Sequence, residues 1–164
     1  MKRKIICSLI GLSLIGSLTG CGKEQKSKIN LDKGKFSIIC NSKEEDINGI
    51  KQNTESTYNF NEEQYTINYS VVTTQKFKDK SVYNEYKKAQ EETVKNSSED
   101  IIYELLSDDK NKSLIFTMAV TKIDLSNAKD EEKDTVKAST IFKRAEEDGT
   151  TKCRVEGINK SKLK

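Results

Sequence analysis

Among the residues of this chain suited to covalent chemistry, the four cysteines come first, and two of them, Cys40 and Cys153, lie in segments that read as folded. A thiolate is the reactive form of cysteine, and positive neighbours favour it; Lys152 and Arg154 flank Cys153. That arrangement admits a redox-active pair. There is no Cys-x-x-Cys spacing, however, and neighbours along a strand point to the opposite face from the cysteine. An even pair in an oxidising compartment points instead to a structural disulfide, for which two cysteines allow a single connectivity. Two unpaired thiols and catalytic redox are the alternatives.

Other chemistries find less support. The chain has no histidine, which removes Ser-His-Asp and Cys-His nucleophile pairs, the usual zinc ligand sets and the commonest general base near neutral pH. Paired carboxylates occur in "KEED" (Lys43 to Asp46), "DEEKD" (Asp130 to Asp134) and "AEEDG". Each sits in a charge-rich stretch where nothing separates one pKa from its neighbour, so solvated surface is expected. In "DDKNKS", Asp109, Asn111 and Ser113 alternate like the first ligands of a calcium loop. Leu114 then occupies the place of the required glycine and Val120 that of the bidentate glutamate, leaving a polar hairpin turn. The tyrosines at 58, 65, 69, 83, 86 and 103 could line a groove, but their spacing fits core packing with hydroxyls at the rim. No catalytic residue, metal ligand or cofactor is expected.

The N-terminus carries a different signal. "MKRK" precedes Ile5 to Leu18, fourteen uncharged residues, a positive n-region followed by an apolar h-region. At 1.5 Å per residue the run reaches about 21 Å, short of the roughly 30 Å a spanning helix must cross. Cys7 lies inside it as an apolar filler. The four residues that end it, Leu18-Thr19-Gly20-Cys21, resemble the lipobox of bacterial lipoprotein signal peptides. That resemblance implies cleavage before Cys21, a diacylglyceryl group on its thiol, and an address on the extracytoplasmic face of the cell membrane. One acyl chain binds a bilayer only marginally, whereas two anchor stably.

These residues need elements to position them. After Cys21, "GKEQKSKINLDKGK" is polar and aperiodic, a flexible tether. "KFSIIC" begins a first strand at Phe36, and "NSKEEDING" supplies turn chemistry. In "QYTINYSVVTTQKF" the residues Tyr65, Ile67, Tyr69, Val71 and Thr73 alternate, placing them on one strand face. "GIKQNTESTYNF" alternates more weakly and makes its hairpin partner. From Ser81, a fair N-cap, Val82, Tyr83, Tyr86, Ala89, Thr93 and Val94 take helical spacing over roughly 81 to 96. Two apolar runs around "SDDKNKS" form a second hairpin near 101 to 107 and 113 to 123, although the first could extend the helix. Val136, Ala138, Ile141, Phe142 and Ala145 line a second helix, capped by Asp134 and stopped at Asp148-Gly149. "TTKCRVEG" closes with a strand.

The expected architecture is α+β: an antiparallel sheet of about four to six strands with two helices packed on one face. Residues 1–20 are the signal peptide, 21–35 the lipidated tether and 36–164 a single domain. Lys2, Arg3 and Lys4 supply three of the 29 basic residues, leaving 26 against 26 acidic ones in the rest. A neutral domain lacks the unopposed positive charge of a nucleic-acid binder.

From Phe36 to Gly157 the chain also resembles the small YehR-like lipoproteins of Gram-positive bacteria. The similarity lies in the Cys-ended strand "SIIC", the "SVYNEYKKAQEE" helix, the hairpin ending "VTKIDLS", and a second helix leading through Gly149 to a near-terminal cysteine. The chain departs from that pattern in having no aromatic between Gly149 and Cys153. The resemblance implies the α+β fold and a Cys40–Cys153 bridge, and brings no catalytic residues. The expectation is a non-enzymatic envelope lipoprotein, anchored in the bilayer through Cys21, that binds an envelope protein, polymer or small ligand. A thiol-disulfide protein using Cys40 and Cys153 is the alternative.

Overall fold

The computed structural model describes residues 29–147 and 149–163. Its elements in chain order are β1 (Phe36–Ser42), β2 (Glu45–Ile47), β3 (Ile50–Phe60), β4 (Thr66–Phe77), α1 (Lys80–Val94), β5 (Ile101–Asp108), β6 (Ser113–Val120), α2 (Asp130–Thr135), α3 (Ala138–Glu147) and β7 (Thr151–Glu156). A single antiparallel sheet runs β5-β6-β4-β3-β1-β7, with β2 paired to the start of β3. The chain's first and last strands are therefore neighbours.

Alternation decides which side chains share a face, and the registers carry that choice from strand to strand. Opposed residues run Val155, Ile38, Tyr58 and Tyr69 across β7, β1, β3 and β4. A second row runs Cys153, Cys40, Ser56, Val71, Met118 and Tyr103 from β7 to β5. Most apolar strand residues thus land on one face, while Ile39, Val72, Ile102, Leu106, Ile115 and Ala119 fall on the other.

Two buried clusters hold that face. Ala138 and Phe142 of α3 pack on Phe36, Ile38, Cys40 and Phe60, where Phe36 and Phe60 stack with ring centroids 4.8 Å apart. Tyr83 of α1 packs with Ile50, Phe77 and Leu114. Tyr83 is 1% exposed and its hydroxyl donates to Asp109 Oδ1 at 2.5 Å; Lys87 Nζ donates to the same oxygen at 2.7 Å. Beside them an amide ladder crosses from helix to sheet: Gln90 Nε2 donates to Gln75 Oε1 at 3.1 Å, and Gln75 Nε2 to Gln52 Oε1 at 3.2 Å.

The opposite face carries a chain of buried polar side chains across β1, β3 and β4. Ser37 Oγ donates to Asn59 Oδ1, Asn59 Nδ2 to Asn68 Oδ1, and Asn68 Nδ2 to the Asp32 carbonyl, at 2.6, 2.7 and 2.9 Å. A buried amide is tolerable when its hydrogen bonds are made, and here each partner is supplied by the next strand. The last link ties the N-terminal segment to the sheet. Leu31 is 5% exposed and Gly34 bridges to Phe60, so packing starts ahead of Phe36. Only glycine fits at 34: its φ is +59°, and a Cβ would lie 2.3 Å from the Phe60 carbonyl oxygen.

Several expectations change in detail. The sheet has seven strands rather than four to six, because "NSKEEDING" is a short hairpin whose Asn48 and Gly49 both take positive φ, as a two-residue turn between twisted strands requires. The helix cap is Asp79, which accepts from Val82 N at 2.9 Å, not Ser81. Val82, Tyr83, Thr93 and Val94 face inward as expected, joined by Lys87 and Gln90; Ala89 is exposed, and Tyr86 is exposed with its ring 5.2 Å from that of Phe77. Ile101–Asp108 is the expected strand, and the alternative of a helical extension falls away. Asp134 lies inside α2 and pairs with Lys137 rather than capping α3. The break between α2 and α3 comes where the Val136 carbonyl turns to accept Thr66 N at 3.0 Å and Thr66 Oγ1 at 2.8 Å.

Lys87 and Tyr83 hold the Asp109 carboxyl below its ordinary pKa, Lys87 contributing most. A lowered folded value stabilises the fold above the unfolded pKa of about 3.9, and that contribution is lost as pH falls through the folded value. Asp109→Asn should therefore lower stability in urea titrations at pH 7 while converging with the parent near pH 2. A constant gap across that range would contradict the assignment.

Candidate functional site

A helix is only about 10 Å wide, whereas strands of 11 and 12 residues run roughly 36 to 40 Å, so two helices leave part of the apolar face uncovered. The uncovered part is a strip of half-buried residues: Tyr58, Tyr69, Val71, Tyr103, Phe116 and Met118. Tyr58 and Tyr69, directly opposed on β3 and β4, stack at 5.7 Å; Tyr103 and Phe116 stack at 5.9 Å. Where this strip meets α3 it deepens into a trough of about 440 Å³.

Its floor is Tyr58, Tyr69 and Thr66. One wall is the face of α3 formed by Ile141, Arg144 and Ala145, which share a side through their three- and four-residue spacing. Val136 and Thr135 close one end, held there by the Val136 carbonyl bonds to Thr66 and by Ala138 N donating to the Gln64 carbonyl at 3.0 Å. Ile123 forms the rim, fixed by its N–H to the Ile67 carbonyl at 2.8 Å.

The polar atoms divide into used and unused. The Thr66 and Thr135 hydroxyls donate to the carbonyls of Val136 and Glu132. The hydroxyls of Tyr58 and Tyr69 and the guanidinium of Arg144 have no partner among the described residues. Among the described residues no carboxylate lines the trough. Burial, and then the neighbouring Tyr58 and Tyr103, raise the Tyr69 pKa, so its phenol remains an O–H donor well into the alkaline range.

The residues singled out in the sequence fall as follows. Cys40 and Cys153 are opposed on β1 and β7 and form a disulfide with Cα atoms 4.1 Å apart. Cys40 is 4% exposed within the cluster beneath α3. Lys152 and Arg154 are exposed on the other face, where Arg154 Nε donates to Glu156 Oε1 at 3.0 Å. Leu18, Thr19, Gly20 and Cys21, with Cys7, lie outside the described residues. The carboxylate runs are ion-paired surface: Glu44 with Lys51, Asp46 with Lys78, Glu146 with Lys160 and Glu147 with Lys143. Asp130, Glu131 and Glu132 occupy the first turn of α2, a favourable place for negative charge. In "DDKNKS" the Asp108 carboxylate accepts from the backbone N–H groups of Lys110 and Asn111, forming the β5–β6 turn. Among the described residues no three His, Cys, Asp or Glu side chains gather as a metal site, and no helix is long and apolar enough to cross a membrane.

Sequence patterning missed two features. Arg144 stands between Ile141 and Ala145 on a face read as purely apolar. Glu55 on β3 is half-buried, and burial raises its pKa against the opposing effects of Arg154 and the Asn41 amide. Comparison with family models, with curated proteins and with solved structures finds no match.

In an alkaline titration followed by tyrosinate absorbance, the phenol lost in Tyr69→Phe should be one that ionises above the ordinary value near 10. Tyr58→Phe should move the Tyr69 transition downward. Were the missing transition an ordinary one, the burial of the floor would be wrong.

Proposed function

We propose that the protein is a lipid-anchored lipoprotein of the cell envelope, of the YehR-like kind, whose domain is a non-catalytic binding module. The observation that carries the binding role is the trough: a pocket of small-molecule size with an apolar body and a few unused polar groups. Its lining offers phenols, hydroxyls and a guanidinium, with no nucleophile–base pair. The envelope address is supported by Leu18-Thr19-Gly20-Cys21 at the end of the uncharged run, and by a cystine in keeping with an oxidising compartment. A two-chain lipid on Cys21 would hold the domain at the bilayer, with the segment up to Leu31 as its tether.

We read the Cys40–Cys153 bridge as structural. It links the first and last strands of the sheet across 113 residues, with Cys40 buried and Cys153 half-buried beneath α3. Reactive cystines need access and an electropositive surround, and the flanking cations face away. The double variant Cys40→Ala/Cys153→Ala should lose about 2–5 kcal/mol of unfolding free energy, the usual range for a native disulfide, without loss of ligand affinity. A loss of function with unchanged stability would favour the exchange reading.

Intact mass of the membrane fraction tests the anchor. The expected species begins at Cys21, carries a diacylglyceryl group, and gains two hydrogens on reduction of its one cystine. A species beginning elsewhere or lacking the lipid increment would overturn the anchored reading.

A further inference from the structure

We propose that the trough beside α3 takes a small amphiphilic carboxylate, its apolar body lying between the tyrosine floor and α3 and its carboxylate held by Arg144 and the free phenol hydroxyls. The proposal rests on the trough being a binding site and adds the class of ligand. Three properties of the site point the same way. Its walls are aliphatic, through Ile123, Val136, Ile141 and Ala145. Every unused polar group can donate: a guanidinium, which only donates, and two phenols, which donate and also accept. A planar guanidinium matches a carboxylate with two parallel hydrogen bonds, and with no carboxylate in the lining nothing in the trough competes for it.

Tyr58 and Tyr69 stack on one another at an interplanar angle of 28°, so each ring has one face taken by the other. An aliphatic or aromatic chain ending in one carboxylate asks only for an apolar slot and donors at one end. At about 440 Å³ the trough suits a single small molecule.

The test uses the full chain in uncharged phosphatidylcholine vesicles, with protein-free vesicles as the blank, and equilibrium dialysis of 4-phenylbutyrate and its cationic counterpart 4-phenylbutylamine. Phenylbutyrate should bind about tenfold more tightly than the amine, a difference set by one charge-assisted contact. Arg144→Gln, an exposed position that leaves the fold intact, should bring the two probes within about twofold, and Arg144→Lys should keep part of the preference. Equal binding of both probes to the parent, or an unchanged preference in Arg144→Gln, overturns the carboxylate assignment while leaving an apolar site. No binding of either probe at millimolar concentration overturns the trough as a ligand site. The anchor at Cys21 is read separately by mass and stands or falls on its own.

Discussion

The structure depends on register. From β7 through β1, β3, β4 and β6 to β5, each strand is paired so that its alternating apolar residues meet those of its neighbour on the same face. A slip of one residue in any pairing would turn that strand's apolar set to the other side. Both helices, the cystine and the trough presuppose this single shared face. The register is guarded at several points: Asn48-Gly49 sets the β2–β3 turn, the Ser37–Asn59–Asn68 bonds align β1, β3 and β4 from behind, and Cys40–Cys153 locks β1 to β7.

Covering that face falls to two short helices at opposite ends, each fixed by contacts that reach beyond hydrophobic packing. Tyr83 and Lys87 bind α1 to the β5–β6 turn through Asp109; the Val136 and Gln64 carbonyls bind the start of α3 to the start of β4. With both helices pinned near the ends, neither can settle over the middle. The half-buried tyrosines between them follow from this placement, and so does the trough. This incompletely covered strip is where the proposed ligand site lies.

The strands were legible in the sequence because alternation in β4 and the paired runs around "SDDKNKS" record a face that one helix layer covers. The cystine could be inferred from counting, since an even pair on the first and last strands has one connectivity. The stripe of helix α1 was legible at Val82, Tyr83, Thr93 and Val94 but not in between, for a physical reason: its inward residues include Lys87 and Gln90, whose partners, Asp109 and Gln75, lie far away in the sequence. Hydropathy alone ranks Ala89 above them. β2 escaped notice because "EDI" has no apolar pattern, and the α2–α3 break because its cause is a hydrogen bond to Thr66. The trough was legible only as the less favoured reading, a groove lined by tyrosines. Tyr58 and Tyr69 sit on the core face, and only the position of α3 decides that they stay uncovered and that Arg144 overlooks them.

The account's central claim is that the apolar face remains open between the helices. Hydroxyl-radical footprinting with residue-resolved mass spectrometry measures this directly. Tyr58, Tyr69 and Met118 should be oxidised at rates between those of exposed Tyr86 and buried Tyr83. Protection of all three to the level of Tyr83 would mean that the face is closed, and would contradict the account.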